Sequence, residues 1–311
     1  MRKTTLFYNP VAGRNRERRI ANVEAADAVL REGGVETLIE ATLGSERTAG
    51  QVQIAIAEGC DTVIACGGDG TIHDVLQGVV GTKAALGVVP LGTANSLAKD
   101  LGLPLTPSVA ASVLLRAKPR RLAAGQITCQ KLNGESISRY FSVAAGIGVD
   151  AEVFQRFHGE KKNRLGHAGY YLEAAKLWLT HPMNRFAVKI KINHENEGRD
   201  EKVSQVLAVR ICDFGGLLRK LAPGASLEQK ELRIVLFHTR SRIAYLAHIV
   251  RGIIGAEWRI PGIELMNADY LTCERISEDA ATVLVEADGE LLGALPAEIS
   301  IVPDAFTLLM P

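Results

Sequence analysis

The sequence predicts an α/β domain built on a parallel sheet over residues 1–120, followed over 121–311 by a domain dominated by antiparallel strands. Three observations carry this reading. The first part alternates strand-like and helix-like runs, the order in which βαβ units are written. Its strands are nearly all apolar, as in sheets covered by helices on both faces. After about Arg121, strands follow one another with only two helical stretches between them. A length of 311 residues fits about two domains, and 47% hydrophobic residues suffice for sizeable cores.

The elements follow in order. Thr4–Tyr8 is a short β-prone run stopped by Asn9-Pro10. Residues 15–32 place Ile20, Val23, Ala26 and Leu30 on one helical face and arginines on the other, and Gly33-Gly34 ends the helix. Val35–Glu40 reads as a strand, 46–58 as a helix, Asp61–Cys66 as a buried strand and Thr71–Val80 as a helix opened by glycines. Leu86–Val89 is a further buried strand, followed by helical 94–101 and 107–117. In the second part, strands are expected at 137–143, 186–192, 203–211, 232–238, 270–273, 282–287 and 297–301, with helices near 166–179 and 242–254. A last strand, Phe306–Met310, could pair with either domain.

Composition excludes several classes. With 36 Lys+Arg against 35 Asp+Glu the net charge is +1, without the basic excess of a nucleic-acid binder. Five cysteines (60, 66, 129, 212, 273) form no Cys-x-x-Cys, and the histidines lack metal spacing, so no zinc or dithiol motif is expected. Uncharged stretches such as 84–98 are broken by glycine and proline, short of the roughly 18 apolar residues of a membrane span. Asn9-Pro10 and Gly13 interrupt any signal-peptide core. A reduced, cytoplasmic protein is expected.

Cys66-Gly67-Gly68-Asp69-Gly70-Thr71, after a buried strand and before a helix, is the most informative segment. Ligands of open α/β sheets bind at the carboxyl ends of strands, and glycines there let a phosphate approach free helical N–H groups. A carboxylate beside phosphates repels them unless a divalent cation intervenes, so Asp69 points to Mg²⁺. The competing reading is a tight turn with Asp69 as a helix cap. Neither a P-loop nor a dinucleotide fingerprint is present. Asp213-Phe214-Gly215 mimics a protein-kinase signature without the matching catalytic loop, and reads as a plain loop. Two further loops close strands in the same way: Asn9-Pro10-Val11-Ala12-Gly13, and Gly92-Thr93-Ala94-Asn95, in which Asn95 could cap the next helix. All three loops should converge on one sheet edge. In the second part, Asp288-Gly289 between two strands is by spacing a hairpin turn.

Together, Asn9-Pro-x-x-Gly13, Gly67-Gly68-Asp69-Gly70-Thr71, Gly92-Thr93-x-Asn95 and Asp288-Gly289-Glu290 resemble the diacylglycerol-kinase catalytic-domain family, most of all its bacterial soluble lipid kinases. The resemblance spans nearly the whole chain. It implies an α/β nucleotide-binding domain like those of NAD kinases and phosphofructokinases, then a β-sandwich lipid-substrate domain. It also implies ATP, Mg²⁺ and phosphorylation of a lipid hydroxyl. By motif match Asn9, Pro10, Gly13, Thr42, Gly67, Gly68, Asp69, Gly70, Thr71, Asp74, Thr93 and Asn95 would line the nucleotide site, with Asp69 on the metal. Asp288 or Glu290 would be the general base. The chain departs from the family at Ser96 and near Ala123, where diacylglycerol-phosphorylating members usually carry Asp. It departs again in residues 223–230, where an acidic pair is common. These departures bear on diacylglycerol as substrate more than on lipid kinase.

Arginines 14, 16, 18 and 19 cluster by the first loop and could meet ATP phosphates or anionic lipid. Lys161, Lys162 and Arg164 precede Tyr170, Tyr171 and Trp178 in a basic-aromatic stretch that could rest on a membrane. The expected protein is thus a cytoplasmic lipid kinase using ATP and Mg²⁺, acting peripherally on a membrane, with no nucleic-acid partner and an oligomer possible. The alternatives are a nucleotide-binding regulatory protein lacking catalysis and a kinase of a soluble acceptor such as NAD.

Overall fold

Four strands begin the fold: β1 (Lys3–Tyr8), β2 (Glu36–Ala41), β3 (Thr62–Gly67) and β4 (Ala85–Pro90). They are parallel in the spatial order β2-β1-β3-β4, and every residue of β3 and β4 is buried. The computed structural model describes residues 1–11, 16–157, 180, 182–191, 198–215, 220–277 and 280–311. Helices α1 (Arg16–Glu32), α2 (Thr48–Ala57), α3 (Asp69–Val79), α4 (Ser96–Asp100) and α5 (Pro107–Leu114) fill the connections. Because side chains alternate across a strand, Leu6, Ile64, Cys66 and Val89 meet α1 and α5 through Val23, Ala26, Leu30 and Leu114. Phe7, Val63, Ala65 and Val88 point the other way, toward the side where α2 packs on α3.

The remaining strands are β5 (Lys118–Gln130), β6 (Ser136–Phe141), β7 (Ala144–Gly148), β8 (Phe186–Lys191), β9 (Arg199–Val203), β10 (Gln205–Val209), β11 (Leu232–Phe237), β12 (Ile263–Ala268), β13 (Tyr270–Glu274), β14 (Leu284–Ala287) and β15 (Glu290–Met310). Two helices accompany them, α6 (Val149–Phe157) and α7 (Arg242–Ile254). One run is ordered β12-β11-β10-β7-β14-β15, and β13 joins β15 to the β8–β9 pair. The pairings among these strands are antiparallel, and inward-facing Phe141, Ile147, Phe186, Val206, Ile234, Leu271, Val285 and Ile299 share one core, a β-sandwich.

The chain divides into two compact units. One holds residues 1–124, 213–216 and 303–311; the other holds 125–212 and 217–302. The end of β15 lies parallel to β4, with Thr307 opposite Ala85 and Leu308 opposite Leu86, so the last strand completes the first unit's sheet.

Several expected elements are corrected. Strands β5, β7, β9 and β12 and helix α6 were not foreseen. β5 opens with four exposed residues, Lys118-Pro119-Arg120-Arg121, so no apolar run marks its start. The two strands expected at 297–301 and 306–310 are one strand, running through Pro303-Asp304 with Asp304 at φ 46°. The run 203–211 breaks at Ser204 into β9 and β10. The expected helix at 166–179, with its basic-aromatic stretch, lies outside the described residues.

Candidate active site

Strand register builds the candidate constellation of the first unit. Tyr8 lies opposite Ala41 and Cys66, and Gly67 opposite Pro90, so the four parallel strands end nearly flush. The loops that leave them therefore line one sheet edge: Asn9-Pro10, Thr42, Gly68-Asp69 and Gly92–Asn95. Gly13 lies outside the described residues. Asn9 folds its own loop, its Oδ1 accepting the Val11 N–H at 2.9 Å. Arg19 is occupied in the same place, donating to the Asn9 and Pro10 carbonyls at 3.2 Å each, and so serves the loop itself. Thr42 is buried and ties its N–H to the Tyr8 carbonyl.

Helix α3 begins at Asp69, with Gly70 and Thr71 in its first turn and His73 and Asp74 buried. Its N-terminal N–H groups face the end of β3, the geometry that favours an anion. Asp69 does two things at once. It supplies the acid of that first turn, and its Oδ1 accepts N–H groups from Ser96 at 2.8 Å and Leu97 at 3.3 Å. It thereby caps α4, a helix 27 residues away in sequence. The expected cap, Asn95, makes no side-chain cap bond. Asn95 sits at φ 50° and spends both side-chain atoms on Gly92, accepting its N–H at 2.8 Å and donating to its carbonyl at 2.9 Å. Gly92 is glycine because the loops touch: a Cβ there would lie 2.3 Å from the Gly68 Cα. Thr93 is exposed at the tip.

Among the described residues, no three His, Cys, Asp or Glu side chains converge to hold a bare metal ion. A Mg²⁺ carried by nucleotide phosphates needs only one or two carboxylates. Asp69, at the N-terminus of α3 beside the Gly68–Gly92 contact, fits that lesser requirement.

A separate candidate constellation, in the second unit, is the turn between β14 and β15. Asp288 and Gly289 have φ of 49° and 83°, the two positive values of a type I′ hairpin. Asp288 is buried, and its carboxylate accepts three backbone N–H groups, from Ser142 at 3.1 Å, Val143 at 2.9 Å and Ala144 at 3.1 Å. It binds the corner between β6 and β7 to the turn. Glu290 is half-buried at the start of β15.

Beneath the turn lies a pair that sequence reading missed. Glu286 is buried, Asp150 is partly buried, the two are hydrogen-bonded to each other, and the Glu286 Oε2 accepts the Gly289 N–H at 2.8 Å. A Cβ at Gly146 would come within 2.6 Å of both carboxyls, so glycine makes their room. Burial pushes both carboxyl pKa values up, and Asp150's charge raises Glu286 further. Raised in this way, the two carboxyls favour sharing one proton across their hydrogen bond.

Two family models match the chain: the diacylglycerol kinase catalytic domain over residues 3–127, and the YegS C-terminal NAD kinase beta sandwich-like domain over residues 142–310. The chain belongs to this lipid-kinase family. A relative from Mycobacterium tuberculosis strain H37Rv named diacylglycerol kinase is 29% identical, covering 99% of this chain and 95% of its own. Among solved structures, a diacylglycerol kinase from Bacillus anthracis strain Sterne superimposes with a TM-score of 0.71 at 19% identity, covering 99% of this chain and 97% of that one. Yeast NADH kinase, complexed with NADH, gives 0.52 at 14% identity over 100% of this chain and 84% of that one. Both likenesses speak to the fold.

The lipid-kinase family departures take structural form here. Ser96 presents its N–H to Asp69, and Ala123 is buried in β5. In the altered segment 223–230 the organising cation is built in. Arg210 is fully buried and donates to the carbonyls of Leu227 at 2.7 Å, Gln229 at 2.9 Å and Glu231 at 3.0 Å. Those oxygens face a guanidinium, so the segment does not fit a structural metal. The Asp213 loop likewise has a place in the first unit: its N–H donates to the Asp100 carboxylate at 2.8 Å, at the end of α4. A Gly-x-Gly-x-Asp run at 146–150, after an apolar strand, is the sequence signal that could have flagged Asp150.

Proposed function

We propose that this protein transfers the γ-phosphoryl group of ATP to the hydroxyl of a diacylglycerol- or sphingoid-like lipid. The observation that carries this reading is the flush parallel register, which sets the Asn9, Gly68-Asp69 and Gly92–Asn95 loops along the edge where α3 begins. Backbone N–H groups of α3 would hold phosphate oxygens there, with Thr42, Thr71, Asp74 and Thr93 lining the nucleotide. Phosphoryl transfer asks the protein mainly for positioning and charge neutralisation. Mg²⁺, held by the nucleotide and Asp69, would supply charge neutralisation at the phosphates.

Glu290 is the base in this reading. Three N–H donors already hold the Asp288 carboxylate to the corner between β6 and β7. Asp288 then fixes the turn, and Glu290 takes the proton from the acceptor hydroxyl. ADP release would be measured against micelles of diacylglycerol, monoacylglycerol, sphingosine and ceramide, and against NAD. Glu290→Gln should lower kcat by about 10²- to 10⁴-fold while ATP affinity holds. Turnover only with NAD, or ATP binding without turnover on any acceptor, would remove the lipid-kinase reading. Wild-type kcat in Glu290→Gln would move the base elsewhere.

A further inference from the structure

Helix α7 is built inside out. Its buried side carries Tyr245, His248 and Arg251, while Ile243, Leu246, Val250 and Ile254 are 78%, 46%, 40% and 59% exposed. These four stand at positions i, i+3, i+7 and i+11, one face of a helix, and Ile249 and Trp258 extend the patch. A helix packed only for the stability of its own domain would turn the aliphatic stripe inward.

Its rotation is locked. The Tyr245 hydroxyl bonds Ser204 Oγ at 2.9 Å, and its ring lies 4.5 Å from that of Phe237. His248 packs edge-on to Phe237 at 5.1 Å and shares a 3.0 Å bond with Arg251. Burial, then the Arg251 charge, push His248 down to about 3, which keeps it neutral. Ser241 caps the start and Gly255, at φ 67°, ends the helix. The 13 residues make a rod of about 20 Å. An exposed apolar stripe of that length is a contact surface.

The charges around it select the occupant. Exposed Arg185, Arg240 and Arg242 stand by the N-terminal end, Arg185 donating to the His238 carbonyl and Arg240 to that of Pro182. Exposed Lys220, bonded through its N–H to Gly252, and Arg259 stand by the other end, with Glu257 the acid of that segment. Aliphatic face, interfacial tryptophan and basic rim are the features of a helix lying in the plane of an anionic membrane surface. A second copy would bring the same basic rim against itself.

We propose that α7 is the surface by which this protein rests on an anionic bilayer; the choice of lipid as occupant rests on the lipid-kinase reading. The test is sedimentation with vesicles of phosphatidylcholine and phosphatidylglycerol, without ATP. Leu246→Glu with Val250→Glu changes two exposed side chains, so the melting temperature should hold while vesicle partitioning falls about tenfold or more. Arg242→Gln with Arg259→Gln should weaken binding to the anionic vesicles and reduce its sensitivity to salt. The Glu variant should still phosphorylate a short-chain diacylglycerol dissolved as monomer and lose turnover on long-chain lipid in vesicles. Equal vesicle binding by wild type and Glu variant overturns the assignment, whatever the kinase activity. A wild-type dimer that the Glu variant splits, with vesicle binding by neither, assigns α7 to a second copy instead. Vesicle binding lost in the Glu variant, from a chain that phosphorylates no lipid, keeps the surface and removes the kinase reading.

Discussion

Asp288 and Glu290 stand two residues apart, and the proposed mechanism gives them different tasks. Removing the Asp288 carboxylate leaves the N–H groups of Ser142, Val143 and Ala144 without their acceptor, at about 1–3 kcal/mol for each one left unsatisfied. Asp288→Ala should therefore cost about 3 kcal/mol or more in urea unfolding, whereas Glu290→Gln should cost little and act on kcat. Equal stability of Asp288→Ala and wild type would contradict the turn-fixing role. The Glu286–Asp150 pair makes a separate prediction. Carboxyls raised by burial hold a proton in the folded state that the unfolded chain releases near pH 4.5. Their contribution is complete below that value and is lost as pH rises through the folded pKa, by up to about 1.4 kcal/mol per pH unit for one proton. Glu286→Gln keeps both a donor for Asp150 and an acceptor for Gly289. It should gain stability relative to wild type as pH climbs from weakly acid to alkaline, and superimposable pH profiles would refute the shared proton.

Elements show why some of this was legible in sequence and some was not. The parallel strands announced themselves because a strand covered on both faces must be apolar throughout, as Thr62–Gly67 is. Strand β5 hid because four exposed basic and proline-flanked residues precede its buried ones. The glycines of the loops at the sheet edge also have a packing reason that the sequence alone does not show. Gly92 faces Gly68 backbone to backbone, so Gly92→Ala should drive these loops apart. Its expected effect is weaker ATP binding, read by titration, in a chain whose circular dichroism is unchanged; wild-type ATP affinity would show that the loops tolerate the shift. In the 222–231 segment Arg210 takes the place of an ion. Arg210→Met leaves three carbonyls without donors, about 1–3 kcal/mol each. EDTA added to the nucleotide-free wild type should not move its melting temperature, and a drop on chelation would reveal a metal.

The whole molecule closes its first sheet with its last residues. Ala305, Phe306, Leu308 and Leu309 are buried, and Leu308 pairs with Leu86 of β4. Each large apolar side chain contributes roughly 1.5–3 kcal/mol by burial, against a typical total stability of about 5–15 kcal/mol. A chain ending at residue 302 should therefore lose the cooperative unfolding of its first unit, seen as a missing transition in calorimetry; an unaltered transition would make the strand dispensable. Among the described residues, no helix is long and apolar enough to cross a membrane.

By itself the sequence determined the α/β-then-β order, the strand ends that carry the glycine loops, the Asp-Gly hairpin and the kinase family. These are local or motif-borne: hydrophobic periodicity, turn chemistry and short spacings are written in neighbouring residues. The tertiary structure decided what each polar group is for. Asp69 reaches 27 residues to cap α4, Asp288 reaches back to Ser142, and Glu286 shares its proton with Asp150. Which donor a buried carboxylate finds, and which face of α7 is left outside, depend on packing between segments far apart in the chain, and no local pattern encodes a partner at that distance.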